Sequence, residues 1–311
     1  MDRDVALDRF RGIAVILMVL GDNIANVPDL PDFIKHAPDI GFTFADIVAP
    51  VFIFAIAMTY KPSFMRRFDK SRSGAYGHYV YKYLALIGLG TIFSAGGAVV
   101  AQEMAWGVLQ AIGVACLVAL LFVKLPAWVR AVSALGILAA YQFILDRCAL
   151  EAVLSSSHGG FIGSLSWAGM LILSTAMVDW FAQSKPRFLL YSGLLALLSL
   201  GSLLVVPISK NRLSLSYVLI SVTICCAAYY VVDALTRRVK MRPGLICFWG
   251  ENPLLLYILH LLLLALLQVP LALLNVDPMP LWYGALTSVV LFAGLSFLVL
   301  TIHRKKIFIK L

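Results

Sequence analysis

Apolar residues run along this chain in long blocks separated by short polar segments, and the blocks exceed the length of strands. Ten can be marked, at residues 8–26, 44–60, 83–101, 105–123, 128–145, 164–182, 188–207, 214–234, 252–271 and 281–302. A hydrocarbon core of roughly 30 Å takes about 20 helical residues to cross. The pattern predicts an all-α fold, a polytopic transmembrane helical bundle of about ten helices. The longest polar stretches, 27–43, 61–82 and 146–163, leave no room for a soluble domain. Residues 1–311 therefore read as a single integral-membrane domain whose function lives in its helices and loops.

Composition agrees with the pattern: 61% of residues are hydrophobic, 13% are charged, and mean hydropathy is +0.92. That excludes an ordinary soluble protein and makes the lipid bilayer the first partner. The 25 Lys and Arg outnumber the 16 Asp and Glu. In a soluble chain this would suggest nucleic acid, but here the distribution explains it and no nucleic-acid partner is expected. With both termini cytoplasmic, only Lys35, Arg147, Lys210 and Arg212 fall in outer loops, and every other basic residue lies inside. Cytoplasmic loops collect Lys and Arg, so the asymmetry supports an even helix count and this orientation. The cysteines give no disulfide framework, since Cys116, Cys225, Cys226 and Cys247 lie in apolar runs and only Cys148 is in a candidate loop. The charges before Arg11 are followed by an apolar run with no small-residue cleavage site, so the first helix reads as retained.

Ionisable side chains are costly inside a membrane and usually face a cavity or a partner. Asp179 and Asp233 lie near inner helix ends and read as structural; Glu251 directly precedes the ninth helix. Asp22 and Asn23 end the first helix and Asp46 starts the second. They flank an outer loop carrying His36, so the four can converge at one depth. Imidazole accepts and returns a proton near neutral pH, and a carboxylate beside it fixes its tautomer. Read alone, however, a loop histidine with acidic neighbours is more often a solvated residue than a catalyst.

Asn252 and Pro253 read as the cap and first turn of the ninth helix, which sets His260 roughly 12 Å into the membrane. There it is either a hydrogen-bonded packing residue or the lining of a ligand cavity. Gln110, in the segment GVLQAIG at 107–113, suggests an interhelical hydrogen bond. His78, His158 and His303 lack ligand spacing, and no metal is expected.

Several segments in order resemble the transmembrane acetyltransferase family that includes heparan-α-glucosaminide N-acetyltransferase. LDRFRGIAVILMVLGDN at 7–23 is similar to its first core helix. HAPDIGFTFADIVAPVFIF at 36–54 is similar to its loop histidine followed by Gly, Thr, Asp and Pro, here Gly41, Thr43, Asp46 and Pro50. GVLQAIG, PISKNRLSLSYV at 207–218 and NPLLLYILH at 252–260 resemble further blocks. The resemblance implies that His36 is catalytic, assisted by a polar residue at the end of the first helix. The family usually has Asn there, whereas the ungapped match falls on Asp22 with Asn23 next to it. Asp39, Ile40 and Ala111 stand where the family has other residues, and its glycosaminoglycan substrate is not carried over.

The implied reaction moves an acetyl group from cytosolic acetyl-CoA to an amine or hydroxyl of an extracytoplasmic glycan or envelope molecule. His36 would act either as a base in a ternary complex or as the acetylated nucleophile, with Asp22, Asn23 and Asp46 orienting it or stabilising charge. Arg9, Arg11, Gln110 and His260 are the candidate donor-binding residues. The compact chain favours a bacterial plasma membrane, and a homodimer is a possible arrangement. The rival is a proton-coupled small-molecule transporter using Asp22, Asp46, Glu251 and His260. It requires no histidine in the outer loop, and the two halves of the chain show no repeat of the kind many transporters have.

Overall fold

The protein is described by a computed structural model over residues 4–24, 27–101, 105–274, 276 and 279–306, without the side chains of 96–101 and 272. Arg3 and Lys310, which contribute to the basic asymmetry, lie outside the described residues. Among the described residues all regular structure is helical. The helices are α1 (Val5–Ile24), α2 (Val48–Phe68), α3 (Arg72–Ala101), α4 (Val108–Leu120), α5 (Ala127–Ile144), α6 (Leu150–Leu154), α7 (Gly160–Gln183), α8 (Lys185–Ser202), α9 (Leu215–Arg238), α10 (Leu245–Trp249), α11 (Pro253–Leu273) and α12 (Leu281–Arg304). Leaving aside the five-residue α6 and α10, one long helix falls on each of the ten predicted stretches.

Six helical stretches are long and apolar enough to cross a membrane, within 45–68, 127–154, 157–183, 215–238, 253–271 and 281–304. Of the others, α1 carries Asp8, Arg9, Arg11 and Asp22, and α4 has only 13 residues. Two predicted loops need correction. The stretch 61–82, expected inside, is largely helical, because α2 runs to Phe68 and α3 starts at Arg72. The outer stretch 146–163 contains a π-helical turn over Leu145–Ala149, then α6 and the start of α7. Hydropathy marks where a helix meets lipid, whereas backbone hydrogen bonding carries it on into water.

The chain divides into two compact units: Met1–His36, Thr43–Ala55 and Ala228–Leu311 form one, and Ala37–Phe42 with Ile56–Ala227 the other. In the first unit α1, α10, α11 and α12 share a core of Val15, Met18, Val19, Trp249, Leu256, Leu291, Leu295 and Val299. Helices α1 and α10 approach backbone to backbone. A Cβ on Gly12 would stand 1.7 Å from the Ile246 carbonyl oxygen, and one on Gly250 2.1 Å from that of Asp8. Trp249 donates its indole N–H to Ser296 Oγ at 3.2 Å, which satisfies the one polar atom of a large buried ring.

In the second unit α7 is buried over most of its length against α4, α5 and α8. Its buried Ser164, Ser174 and Thr175 donate to carbonyls of their own helix, and Ser166 donates to that of Leu213. Hydroxyls inside an apolar bundle are tolerated when bonded in this way.

Candidate active site

The loop between α1 and α2 begins its ordering within the first unit. Ile34 N–H donates to Pro31 at 2.9 Å, and Phe44 N–H to Phe33 at 3.0 Å, which brings the segment after His36 back beside the segment before it. A single 3₁₀ turn, Ala45–Ile47, then leads into α2. That turn fixes Asp46, whose side chain is fully buried.

His36 Nδ1 lies 2.8 Å from Asp46 Oδ1. The other carboxylate oxygen accepts the Thr43 backbone N–H at 2.9 Å and the Thr43 hydroxyl at 3.0 Å. Opposed to an ionised carboxylate, which only accepts, His36 must carry its hydrogen on Nδ1. In the neutral ring Nε2 then keeps its lone pair. The His36 side chain is 46% exposed, whereas that of Asp46 is fully buried.

Asp22 and Asn23 make other bonds. Asp22 Oδ2 meets His260 Nε2 at 3.0 Å, with His260 completely buried and Asp22 45% exposed. Asn23 donates to the Gly284 carbonyl at 3.1 Å and to Ser288 Oγ at 2.7 Å, and accepts from Thr287. The structure therefore joins His36 to Asp46, Asp22 to His260, and Asn23 to α12. His260 Nδ1 is buried with no hydrogen-bond partner, an open acceptor position in the interior of the first unit. Pro253 opens α11 and the Asn252 carbonyl accepts from Leu256 N–H at 3.1 Å, as the sequence reading of that helix start requires.

Arg9 donates to Thr236 Oγ1 at 2.8 Å and to the Arg242 carbonyl at 3.2 Å, and both Arg9 and Arg11 are half-buried. Gln110 belongs to the second unit. It accepts the Gly107 N–H at 2.9 Å, closing the first turn of α4, and donates to Ser94 Oγ at 3.1 Å. Sequence reasoning passed over Thr43 as a functional residue, although its three-residue spacing from Asp46 was the available signal. It also passed over the partners of Asn23 on α12. The acids read as structural have basic partners: Asp179 binds Lys61 at 2.6 Å, and Asp233 binds Arg237 at 2.6 Å. Glu251 meets His303 Nδ1 at 2.9 Å. Among the described residues no three His, Cys, Asp or Glu side chains are grouped to hold a metal ion.

The family described as heparan-alpha-glucosaminide N-acetyltransferase, catalytic, matches residues 3–182, more than half of the chain. The chain belongs to this family. No curated protein matches it. Family membership implies an acetyltransferase, and the six apolar helical stretches make it an integral membrane protein. The matched region contains α1, His36, Thr43, Asp46 and Gln110, and ends before α8.

Proposed function

We propose that the protein is a transmembrane acyltransferase that moves an acetyl group from cytosolic acetyl-CoA to an amine or hydroxyl of an extracytoplasmic glycan or envelope molecule, with His36 as the catalytic residue. The observation that carries this reading is the His36–Asp46 pair, 2.8 Å apart, inside the region matched by the acetyltransferase family.

Acetyl-CoA supplies the acetyl group as an activated thioester, and the rest of the chemistry falls to the chain. A buried carboxylate on Nδ1 fixes the tautomer and stabilises the imidazolium, as the carboxylate of a catalytic triad does. Nε2 would then take the proton from the acceptor amine or hydroxyl as that group attacks the thioester carbonyl, and return it to the CoA thiolate as the C–S bond breaks. Thr43 holds Asp46 through two hydrogen bonds, so the carboxylate keeps its aim when the ring becomes charged. The donor set fits this chemistry at His36, where a half-exposed ring edge meets a dry carboxylate. Asp22 and Asn23 assist from the end of α1, Asp22 by holding His260 and Asn23 by tying that end to α12. The open Nδ1 of His260 supports a role for that residue in holding substrate. Arg9 and Arg11 are assigned to donor phosphate and Gln110 to the donor side.

In this reading residues 1–311 work as one membrane domain with both termini cytoplasmic, in a bacterial plasma membrane. The test is acetyl-CoA binding and hydrolysis by the purified protein in detergent, comparing wild type with His36→Ala. Binding by both with turnover only in wild type supports the assignment. Equal turnover in the two removes His36 from the mechanism, and no binding by a folded sample removes the acyltransferase reading.

A further inference from the structure

In the second unit two cations converge on one carboxylate. Asp179 Oδ2, near the end of α7, accepts Lys61 Nζ at 2.6 Å and also the Arg130 guanidinium. Arg130 lies in the first turns of α5 and is 1% exposed. Its Nε donates to the Leu125 carbonyl at 3.1 Å and its Nη2 to Asp179, but its Nη1 is buried with no acceptor. Lys124, one residue before Leu125, is exposed and lies 4.4 Å from the Phe68 ring centre.

The charge in this cluster does not balance, because one carboxylate faces Lys61 and Arg130 with Lys124 on the adjoining turn. A buried guanidinium edge without an acceptor is costly, so a further anion would complete the set. The positive end of the 18-residue α5 acts in the same direction. Lys61 and Asp179 have side chains 25% and 16% exposed, which leaves the cluster open on one side.

We propose that Lys61, Arg130 and the first turn of α5 bind a phosphoryl anion, with Asp179 holding the two cations in register. The group would be the phosphodiester of an anionic lipid or a phosphate of a soluble nucleotide, since guanidinium and ammonium recognise both. The site belongs to the second unit, whereas His36 and Asp46 belong to the first, so it does not depend on the catalytic assignment.

The experiment is native mass spectrometry of the full chain in detergent, titrated with phosphatidylglycerol or phosphatidylcholine, with CoA as competitor. Wild type is expected to retain phosphatidylglycerol over phosphatidylcholine, and Lys61→Gln to weaken that retention by about tenfold. Asp179→Asn is expected to strengthen it, because the competing carboxylate charge is gone while an acceptor for Arg130 remains. A purely structural ion cluster would lose stability on that change without gaining ligand. Displacement of the lipid by CoA identifies a nucleotide phosphate as the occupant, and failure to displace identifies the lipid. Equal retention of phosphatidylglycerol by wild type, Lys61→Gln and Asp179→Asn overturns the proposal.

Discussion

His36 and Asp46 divide the proposed chemistry between an accessible ring and a buried charge, and single substitutions separate the two. His36→Ala should lower acetyl transfer by about 10² to 10⁴ fold while leaving donor binding intact, since general-base contributions fall in that range. Asp46→Asn places an amide opposite Nδ1, favours the wrong tautomer and should cost a comparable factor of about 10² or more in kcat with KM little changed. Thr43→Val removes one of two bonds to Asp46 and should cost far less than either. Single-turnover kinetics on the three variants checks the order; a Thr43→Val loss equal to that of Asp46→Asn would refute the supporting role. His36 and Asp46 were legible in the sequence because ten residues of one loop connect them. The pairing of Asp22 with His260 was not, because it depends on how α11 rotates against α1, and that is set by packing around Trp249 and Leu256 rather than by local pattern.

Helices are placed by their apolar residues but docked by small ones, and α1 carries both kinds. Gly12 has the Ile246 carbonyl where a side chain would go, while Gly21 has nothing within 4 Å. Gly12→Ala should therefore destabilise the first unit by about 1 to 3 kcal/mol or more as backbone is forced apart. Gly21→Ala should be neutral or stabilising by up to about 1 kcal/mol through helix propensity. Thermal unfolding of both variants in detergent checks the contrast, and equal effects would mean that α1 and α10 do not meet as described. In the second unit the segment 37–42 is tied to the loop before α9. Arg212 grips Asp39, Ser209 Oγ donates to it at 2.9 Å, and Gly41 N–H donates to the Ile208 carbonyl at 2.8 Å. Hydrogen bonding from Arg212 holds the Asp39 carboxyl below its ordinary value of 3.8. A depressed carboxylate contributes stability above its unfolded value and loses it as pH falls through the folded one. Asp39→Asn should thus flatten the loss of stability as pH falls below about 4, measured by protease resistance of this loop. A wild-type acid limb that is unchanged in the variant would mean the pair contributes nothing. Neither the Gly12 contact nor the Asp39 clamp could be read beforehand, since each joins segments far apart in sequence. The ten main helices could, because each carries a long apolar run, and in six stretches that run is long and apolar enough to cross a membrane.

At the scale of the whole molecule the reaction demands a direction, and the charge distribution supplies one. If the donor is cytosolic and the acceptor extracytoplasmic, the loop bearing His36 must lie on the face opposite the basic link between α2 and α3. That link and the helix ends beside it carry Arg66, Arg67, Lys70 and Arg72, whereas the loop from Val27 to Phe44 carries only Lys35 among Lys and Arg. Basic residues within reach of a span end favour the cytoplasm, so on the proposed orientation His36 would lie outside. Two exposed positions test this directly: Asp32, whose side chain is fully exposed, in the His36 loop, and Ser71 in the basic link. Four of the five cysteines are buried, so Cys148→Ser provides a quiet background. In intact cells a membrane-impermeant maleimide should label Asp32→Cys at once and Ser71→Cys only after permeabilisation. The reverse pattern would set His36 on the same side as the donor, and no acetyl group would need to cross; the extracytoplasmic acceptor would then fall even if His36 remained the catalytic residue.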